Sequence, residues 1–367
     1  MRPTRRQFAL GLLSATALPR GARAAAPEGP GLRARAAAKG LVFGTAVQQN
    51  QLQDAGFAAA LRREAAILTP EFELKWSSVR PAPSDERFGA PDAIAAWCQR
   101  EGVALRGHTL VWHEALPAWV PRFPDASAAH VLLTAHIAKL VGRYAGRIQA
   151  WDVVNEAIEP KHGRADGLRV SPWQSALGPN YIDLAFGAAA AADPTAALYY
   201  NEYGLDFDTP EEAARRRATL ALLEGLKARG VPIHGLGIQG HLSAAGKPFN
   251  ATRFNAFLDA VAALGLKIMI TELDVSDQAL PGDAAARDAA VAAVAGDYLA
   301  VACAHPAVLG VMTWGLSDRH TWLNSSPDYR RKDGLAQRPL PLDAALQRKQ
   351  LWEAIARAFD QAPDRRA

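Results

Sequence analysis

Eight short β-rich runs alternate with longer amphipathic stretches in this chain, and no other feature constrains its fold as strongly. The runs are "LVFGTAV" at 41–47, "AILTPE" at 66–71, "ALRGHTLVW" at 104–112, "IQAWDVVNE" at 148–156, "ALYYNEYG" at 197–204, "GLGIQGHL" at 235–242, "KIMITELDV" at 267–275 and "LGVMTWGLS" at 309–317. Ala-rich stretches at 127–144, 181–192, 211–229, 252–264, 284–304 and 343–359 carry the helical period. Thr209, followed by Pro210, Glu211 and Glu212, marks one helix start. Strands alternating with helices pair in parallel, because each crossover returns the chain to the same end of the sheet. Eight such units predict an α/β fold, a (β/α)8 TIM barrel in a single domain. A doubly wound sheet would need a glycine-rich phosphate turn after the first strand, and "GTAVQQNQLQDAG" is not one. The 367 residues, 49% of them hydrophobic, suffice for one large barrel core. No second domain is read beyond residue 360.

The first 24 residues form a segment of another kind. "TRRQFALGLLSATALP" sets an Arg pair before a short apolar run, and Ala22 to Ala24 is a small-residue cleavage pattern. Arg5 and Arg6 followed by Gln7 and Phe8 resemble a twin-arginine signal, which implies export of a protein already folded. The expected organisation is therefore a signal peptide at 1–24, a short linker at 25–31 and the barrel at 32–362, exported to the periplasm or medium of a bacterium. The formal charge of +4 owes much to this segment. It holds Arg2, Arg5, Arg6, Arg20 and Arg23 and no acid, so the remainder has 36 basic and 37 acidic residues. Such a balance attracts neither nucleic acid nor, once the signal is gone, a membrane. Cys98 and Cys303, the only cysteines, sit in separate helical patterns and suit buried, inert thiols. No cofactor or metal ion is expected, and the protein is expected to act as a monomer.

Polar residues gather at the C-terminal ends of the predicted strands. These are Glu71 with Lys75 and Trp76; His108 and Trp112; Asn155 and Glu156; Asn201, Glu202 and Tyr203; Gln239 and His241; Glu272 and Asp274; and Trp314, with Trp322 in the loop beyond. In a barrel these ends converge on one face, where active sites of the fold lie. Residues two apart in a strand share a face, which pairs Gln239 with His241 and Glu272 with Asp274. The spacing predicts Glu272–His241–Asp274 contacts that hold Glu272 ionised, while Glu156 opposite, in a more apolar setting, has a raised pKa. Two carboxyl groups with separated pKa values suit one nucleophile and one proton donor. The tryptophans offer flat faces for sugar rings. His108 and His113, five apart, fall on opposite faces of a strand and should not share an ion. Each residue also has a plainer reading: a strand-end Glu as an ion-pair partner, Lys75 paired with Glu71, the tryptophans in the core. Together they fit a retaining glycosidase. An inactive sugar-binding barrel and a hydrolase of another bond remain open on this pattern.

The motifs "TPEFELKW", "RGHTLVWH", "WDVVNEAI", "NEYG", "GIQGHL", "ITELDV" and "TWGLSDRHTWL", in this order from about Leu32 to Phe359, resemble those of glycoside hydrolase family 10, the endo-β-1,4-xylanases. The resemblance implies that Glu156 is the general acid/base and Glu272 the nucleophile of a double displacement on xylan or xylo-oligosaccharides, with carboxyls about 5–5.5 Å apart. It implies that Asn155 bonds the 2-hydroxyl of the sugar at the cleavage point, that His241 backed by Asp274 steadies the nucleophile, and that Gln239 contacts the acid/base. Glu71, Lys75, His108, Trp112, Trp314 and Trp322 resemble the non-reducing-side subsites, and Tyr203 an aromatic platform on the leaving-group side. The resemblance also implies a cis bond between His108 and Thr109. Two positions depart from the family pattern. Phe72 stands where the family usually has Asn, and Gly204 where Asn is frequent. Both changes weaken polar contacts away from the cleavage point, which leaves a different or decorated β-glycan as an alternative substrate. If Phe72 turns into the core instead, Glu71 and Lys75 alone would serve that subsite. With no separate carbohydrate-binding module visible, soluble or short substrates are expected.

Overall fold

The computed structural model describes residues 29–120 and 123–366; the predicted signal segment lies outside the described residues. Among the described residues nine strand segments run in the order β1 Val42–Val47, β2 Ile67–Pro70, β3 Ala104–Val111, β4 Ala150–Asn155, β5 Ala197–Glu202, β6 Gly235–Ile238, β7 His241–Ser243, β8 Lys267–Ser276 and β9 Val308–Thr313. Every pairing between them is parallel. β1 pairs with both β2 and β9, and β6 pairs with β8, so the sheet closes on itself. β6 and β7 both lie along β8 and form one interrupted stave, giving the eight of a (β/α)8 barrel. The stretch 235–242, read from sequence as one strand, breaks at Gln239–Gly240, where Gly240 has φ +75°.

Helices fill the crossovers, among them Ala126–Arg143, Tyr181–Ala192, Pro210–Ala228, Ala251–Ala263 and Ala284–Ala304. Four of these starts follow from side-chain caps: Asp125, Thr209, Asn250 and Asp283 each accept a hydrogen bond from a backbone N–H three residues on. The last predicted helix, 343–359, instead spans Gln350–Gln361. Asp343 accepts from the N–H groups of Ala345 (2.8 Å) and Gln347 (2.9 Å), and Leu346 has φ +64°, so a local turn outcompetes the helix there. Cys98 and Cys303 are free and buried, and burial pushes both thiols up to about 12. No helix among the described residues is long and apolar enough to cross a membrane.

Inside the barrel, Ile67, Ala150, Tyr199, Met269 and Met312 pack into a small apolar plug of their own. A polar layer of Arg106, Asp152, Thr45 and Thr313 is also buried within the barrel. The Arg106 guanidinium pairs with Asp152 and lies 4.4 Å over the Tyr199 ring. Burial works against the Asp152 carboxylate, but the Arg106 charge and a His108 hydrogen bond hold it below the ordinary range. The His108–Thr109 peptide is cis, as the resemblance implied.

Candidate active site

Strand β4 is where the site begins. Its register against β5 slips between Asp152 and Val154. Such a bulge lets two residues three apart face the same side. Asp152 and Asn155 both turn inward, to His108 and Asn201 respectively. Glu156 follows with φ +58°, a left-handed turn that bends the chain sharply as it leaves the strand.

The Glu156 carboxyl accepts hydrogen bonds from Trp112 Nε1 (2.8 Å), Gln239 Nε2 (2.9 Å) and Asn155 Nδ2 (3.1 Å). Its surroundings are thus more polar than the sequence suggested. Its pKa is nonetheless raised, because burial dominates, the bonds from Gln239 and Trp112 only partly offset it, and the Glu272 charge adds to it. His113 Nδ1 lies 3.9 Å away. Burial, helped by nearby Arg169, pushes this imidazole down to about 4, so it is neutral at pH 7.

Glu272 is 4% exposed and accepts from Asn201 Nδ2 at 2.7 Å, with His241 Nε2 3.2 Å from its other oxygen. His241 Nδ1 meets Asp274 at 2.9 Å, and Asp274 accepts from Trp322 Nε1 at 2.8 Å. The predicted Glu272–His241–Asp274 contacts are present, and Trp322 extends them. Burial alone would lower the His241 imidazole, but the Asp274 and Glu272 carboxylates hold it well above its ordinary value. Burial would likewise raise Glu272; the His241 hydrogen bond and the neighbouring His108 and His241 outweigh it and leave the carboxyl below its ordinary value. The two carboxyl groups are therefore displaced in opposite directions. Side-chain amides join them: Gln239 bonds Glu156 and reaches Asn155 (3.4 Å), Asn155 accepts from Asn201 (2.9 Å), and Asn201 donates to Glu272. Thr271 fixes Asn201 by donating to its carbonyl at 2.7 Å.

On the β2 side, burial pushes the Glu71 carboxyl up to about 7 although Gln48 donates to it at 3.0 Å. The Lys75 ammonium lies over three rings: Phe72 (4.7 Å), Trp112 (4.9 Å) and Trp314 (5.8 Å). Phe72 is 45% exposed, which removes the reading in which it turns into the core. His108 is buried beneath this group, its Nδ1 3.1 Å from Asp152 and 3.9 Å from Glu272, its ring edge-on to Trp314. Tyr203 accepts from Arg169 (2.9 Å), donates to Glu159 (3.1 Å) and stacks under Arg215 (4.1 Å). Gly204 has φ +63°, a conformation that Gly and Asn tolerate best, which accounts for the exchange between them.

Sequence reasoning named Asn201 and Glu202 only as polar strand ends. Asn201 points to Glu272, whereas Glu202 points out of the barrel. Asp152, Arg169 and Gln48 were not singled out. Asp152 alone had a signal, as a lone carboxylate inside the apolar run "AWDVV".

The sequence model of glycosyl hydrolase family 10 matches residues 31–358. The chain belongs to glycosyl hydrolase family 10. Among family 10 relatives it is similar to endo-1,4-beta-xylanase 3 of Hypocrea jecorina, 33% identical over 326 residues that cover 86% of this chain and 81% of that one. Its fold is similar to the native xylanase 10B of Thermotoga maritima, with a TM-score of 0.81 at 30% identity, covering 90% of this chain and 98% of that one. The xylanase 10B of Thermotoga petrophila in complex with xylobiose also matches, with a TM-score of 0.81 at 28% identity over 92% and 99% of the two chains. Among the described residues no group of three or more His, Cys, Asp or Glu side chains could hold a metal ion.

Proposed function

We propose that this family 10 chain is an endo-1,4-β-xylanase that cleaves internal β-1,4-xylosidic bonds with retention. The observation that carries the reading is the opposite displacement of two carboxyl groups bridged by one line of amides. Ionised Glu272 attacks the anomeric carbon and forms an ester bond to it. The glycosidic C–O bond breaks, and its electron pair leaves on the oxygen that Glu156 protonates. Glu156, now ionised, takes a proton from water; the water oxygen bonds the anomeric carbon and the Glu272 ester breaks. Cationic His241, bonded to Asp274, keeps Glu272 ionised and oriented. Asn155, beside Glu156 and donating to it at 3.1 Å, is assigned to the sugar's 2-hydroxyl. Trp112, Trp314 and Trp322 supply faces for the glycone units, with Glu71, Lys75 and His108 around them, and Tyr203 serves the leaving-group side.

The test is substitution of each carboxyl. Glu272→Ala abolishes turnover of every substrate. Glu156→Ala is severe on xylan but milder on aryl xylosides whose leaving group needs no proton, and azide restores its turnover. Substantial xylanase activity in Glu272→Ala would overturn the assignment. The exposed Phe72 ring favours a second reading for one subsite only, a preference for a decorated glycone unit there. The barrel at 32–362 follows a short linker and an exported, cleavable segment at 1–24, and acts as a monomer.

A further inference from the structure

Glu202 is completely buried, lies outside the barrel interior, and has no part in the chemistry described above. Burial pushes its carboxyl up to about 7 even though Arg215 lies 3.5 Å away. A buried carboxyl without a function is a cost that an apolar residue would avoid. Its hydrogen bonds show where it acts. One oxygen accepts from the backbone N–H of Ile158 (3.1 Å) and from the Tyr200 hydroxyl; the other accepts from the Tyr203 N–H (3.0 Å). Tyr200, also completely buried, accepts the N–H of Ala157 at 3.0 Å.

Those two N–H groups belong to the residues directly after Glu156. Glu156 holds a left-handed backbone that is unfavourable for a side-chain-bearing residue, and such a conformation persists only where the surroundings enforce it. Its own N–H donates to the Asn201 carbonyl at 2.9 Å, and its carbonyl accepts from Arg169 Nε at 2.8 Å. The Ile158 carbonyl accepts from Arg215. The turn that aims the Glu156 carboxyl is thus fixed from behind by Tyr200 and Glu202, while Arg169, which also donates to Tyr203, holds its carbonyl. β5 contributes on both sides of the sheet: Asn201 inward to Glu272, Tyr200 and Glu202 outward to the Glu156 turn.

We propose that Glu202 and Tyr200 are positioning residues for proton transfer, holding the Ala157–Ile158 backbone so that the Glu156 carboxyl meets the leaving oxygen. They touch neither substrate nor the reacting atoms. The proposal rests on the acid/base role given to Glu156. It separates them from an ordinary fold clamp, because in the first step, which kcat/KM reports, a misdirected acid matters only for a leaving group that needs a proton.

The experiment uses Tyr200→Phe, Glu202→Gln and Glu202→Asp in the full-length enzyme. kcat/KM is measured on xylopentaose and on 2,4-dinitrophenyl β-xylobioside, with the melting temperature of each variant and Glu156→Ala as a parallel control. Tyr200→Phe removes one oxygen and keeps the ring, so it carries the test if a Glu202 variant fails to fold. The expected result is a loss of about ten- to a hundredfold on xylopentaose, the effect of one or two lost hydrogen bonds to the turn, with less than about a threefold change on the dinitrophenyl substrate. Azide should raise kcat of the variants on the dinitrophenyl substrate, as it does for Glu156→Ala. Equal losses on both substrates, or none on xylopentaose in variants that fold, would overturn the proposal. If Glu156→Ala itself lost both activities equally, the acid/base assignment would fall, and the proposal with it.

Discussion

Trp112→Phe isolates one hydrogen bond on Glu156, the proton donor proposed above. The indole N–H donates to Glu156 at 2.8 Å, and phenylalanine removes that donor while leaving an aromatic face toward Lys75. The other bond made by Trp112, its carbonyl accepting from Trp173 Nε1 at 3.2 Å, is a backbone contact and survives. A hydrogen bond to an ionised group stabilises it by about 1.5–3 kcal/mol. The Glu156 side chain keeps 13% exposure and water can partly replace the donor, so the lower end applies. At 1.36 kcal/mol per pKa unit this is about one unit. The lost bond favoured the ionised form, so the pKa rises further above its already raised value. The basic limb of kcat/KM, which reports the protonated acid in the free enzyme, moves about one unit to higher pH. The acid limb, which the proposed mechanism assigns to Glu272 with its own partners Asn201 and His241, stays in place and serves as the internal control. The assay is kcat/KM on xylopentaose across the pH range. A basic limb that stays put or moves to lower pH would refute the view that burial, held in check by these bonds, sets the Glu156 pKa.

Three further outcomes are expected. Phe72→Asn gives the glycone end an amide in place of an exposed ring and raises kcat/KM on a xylobioside by about tenfold; unchanged or reduced kinetics in a folded variant would favour a decorated or non-xylan unit at that subsite. A Cβ at Gly237 would lie 2.1 Å from Asn201 Oδ1, so Gly237→Ala displaces the amide between Asn155 and Glu272. It lowers kcat by about tenfold or more, with a loss of about 1–3 kcal/mol in stability, whereas Gly142→Ala, with nothing within 4 Å, leaves kcat unchanged; initial rates and melting curves decide between them. Replacing Arg5 and Arg6 together by Lys traps uncleaved precursor in the cytoplasm, as fractionation would show, and normal export of that variant would point to the general secretory route or to no signal at all.

The alternation of strand and helix was legible because both periods are local, and the cap at Thr209 is a local signal too. What escaped the sequence was non-local or irregular. The slip in β4 decides that Asp152 and Asn155 share the interior, yet it arises from pairing with β3 and β5 and has no mark of its own in "WDVVN". Arg169 reaches back to Glu156 from an irregular segment 13 residues on, where no period applies. In "NEYG" the strand tip looks uniformly polar, but the pleat sends Asn201 and Glu202 to opposite sides of the sheet. The Glu272–His241–Asp274 contacts were readable because spacing by two on adjoining staves reduces them to a local rule.

Barrel closure through β1 and β9 sets a timetable for making the protein. Thr45 and Thr313 share a hydrogen bond of 3.1 Å across the seam, 268 residues apart in sequence. At about 5–20 residues per second, a ribosome leaves β1 without one of its two neighbours for on the order of ten to fifty seconds. During that interval Phe43, later fully buried and paired with Val311 of β9, lacks that neighbouring strand. The cleft is equally late, since Trp314 and Trp322 follow the last strand. A ribosome-bound fragment that stops before residue 308 therefore holds both carboxyl groups and Trp112 but lacks Trp314 and the Trp322 that bonds Asp274.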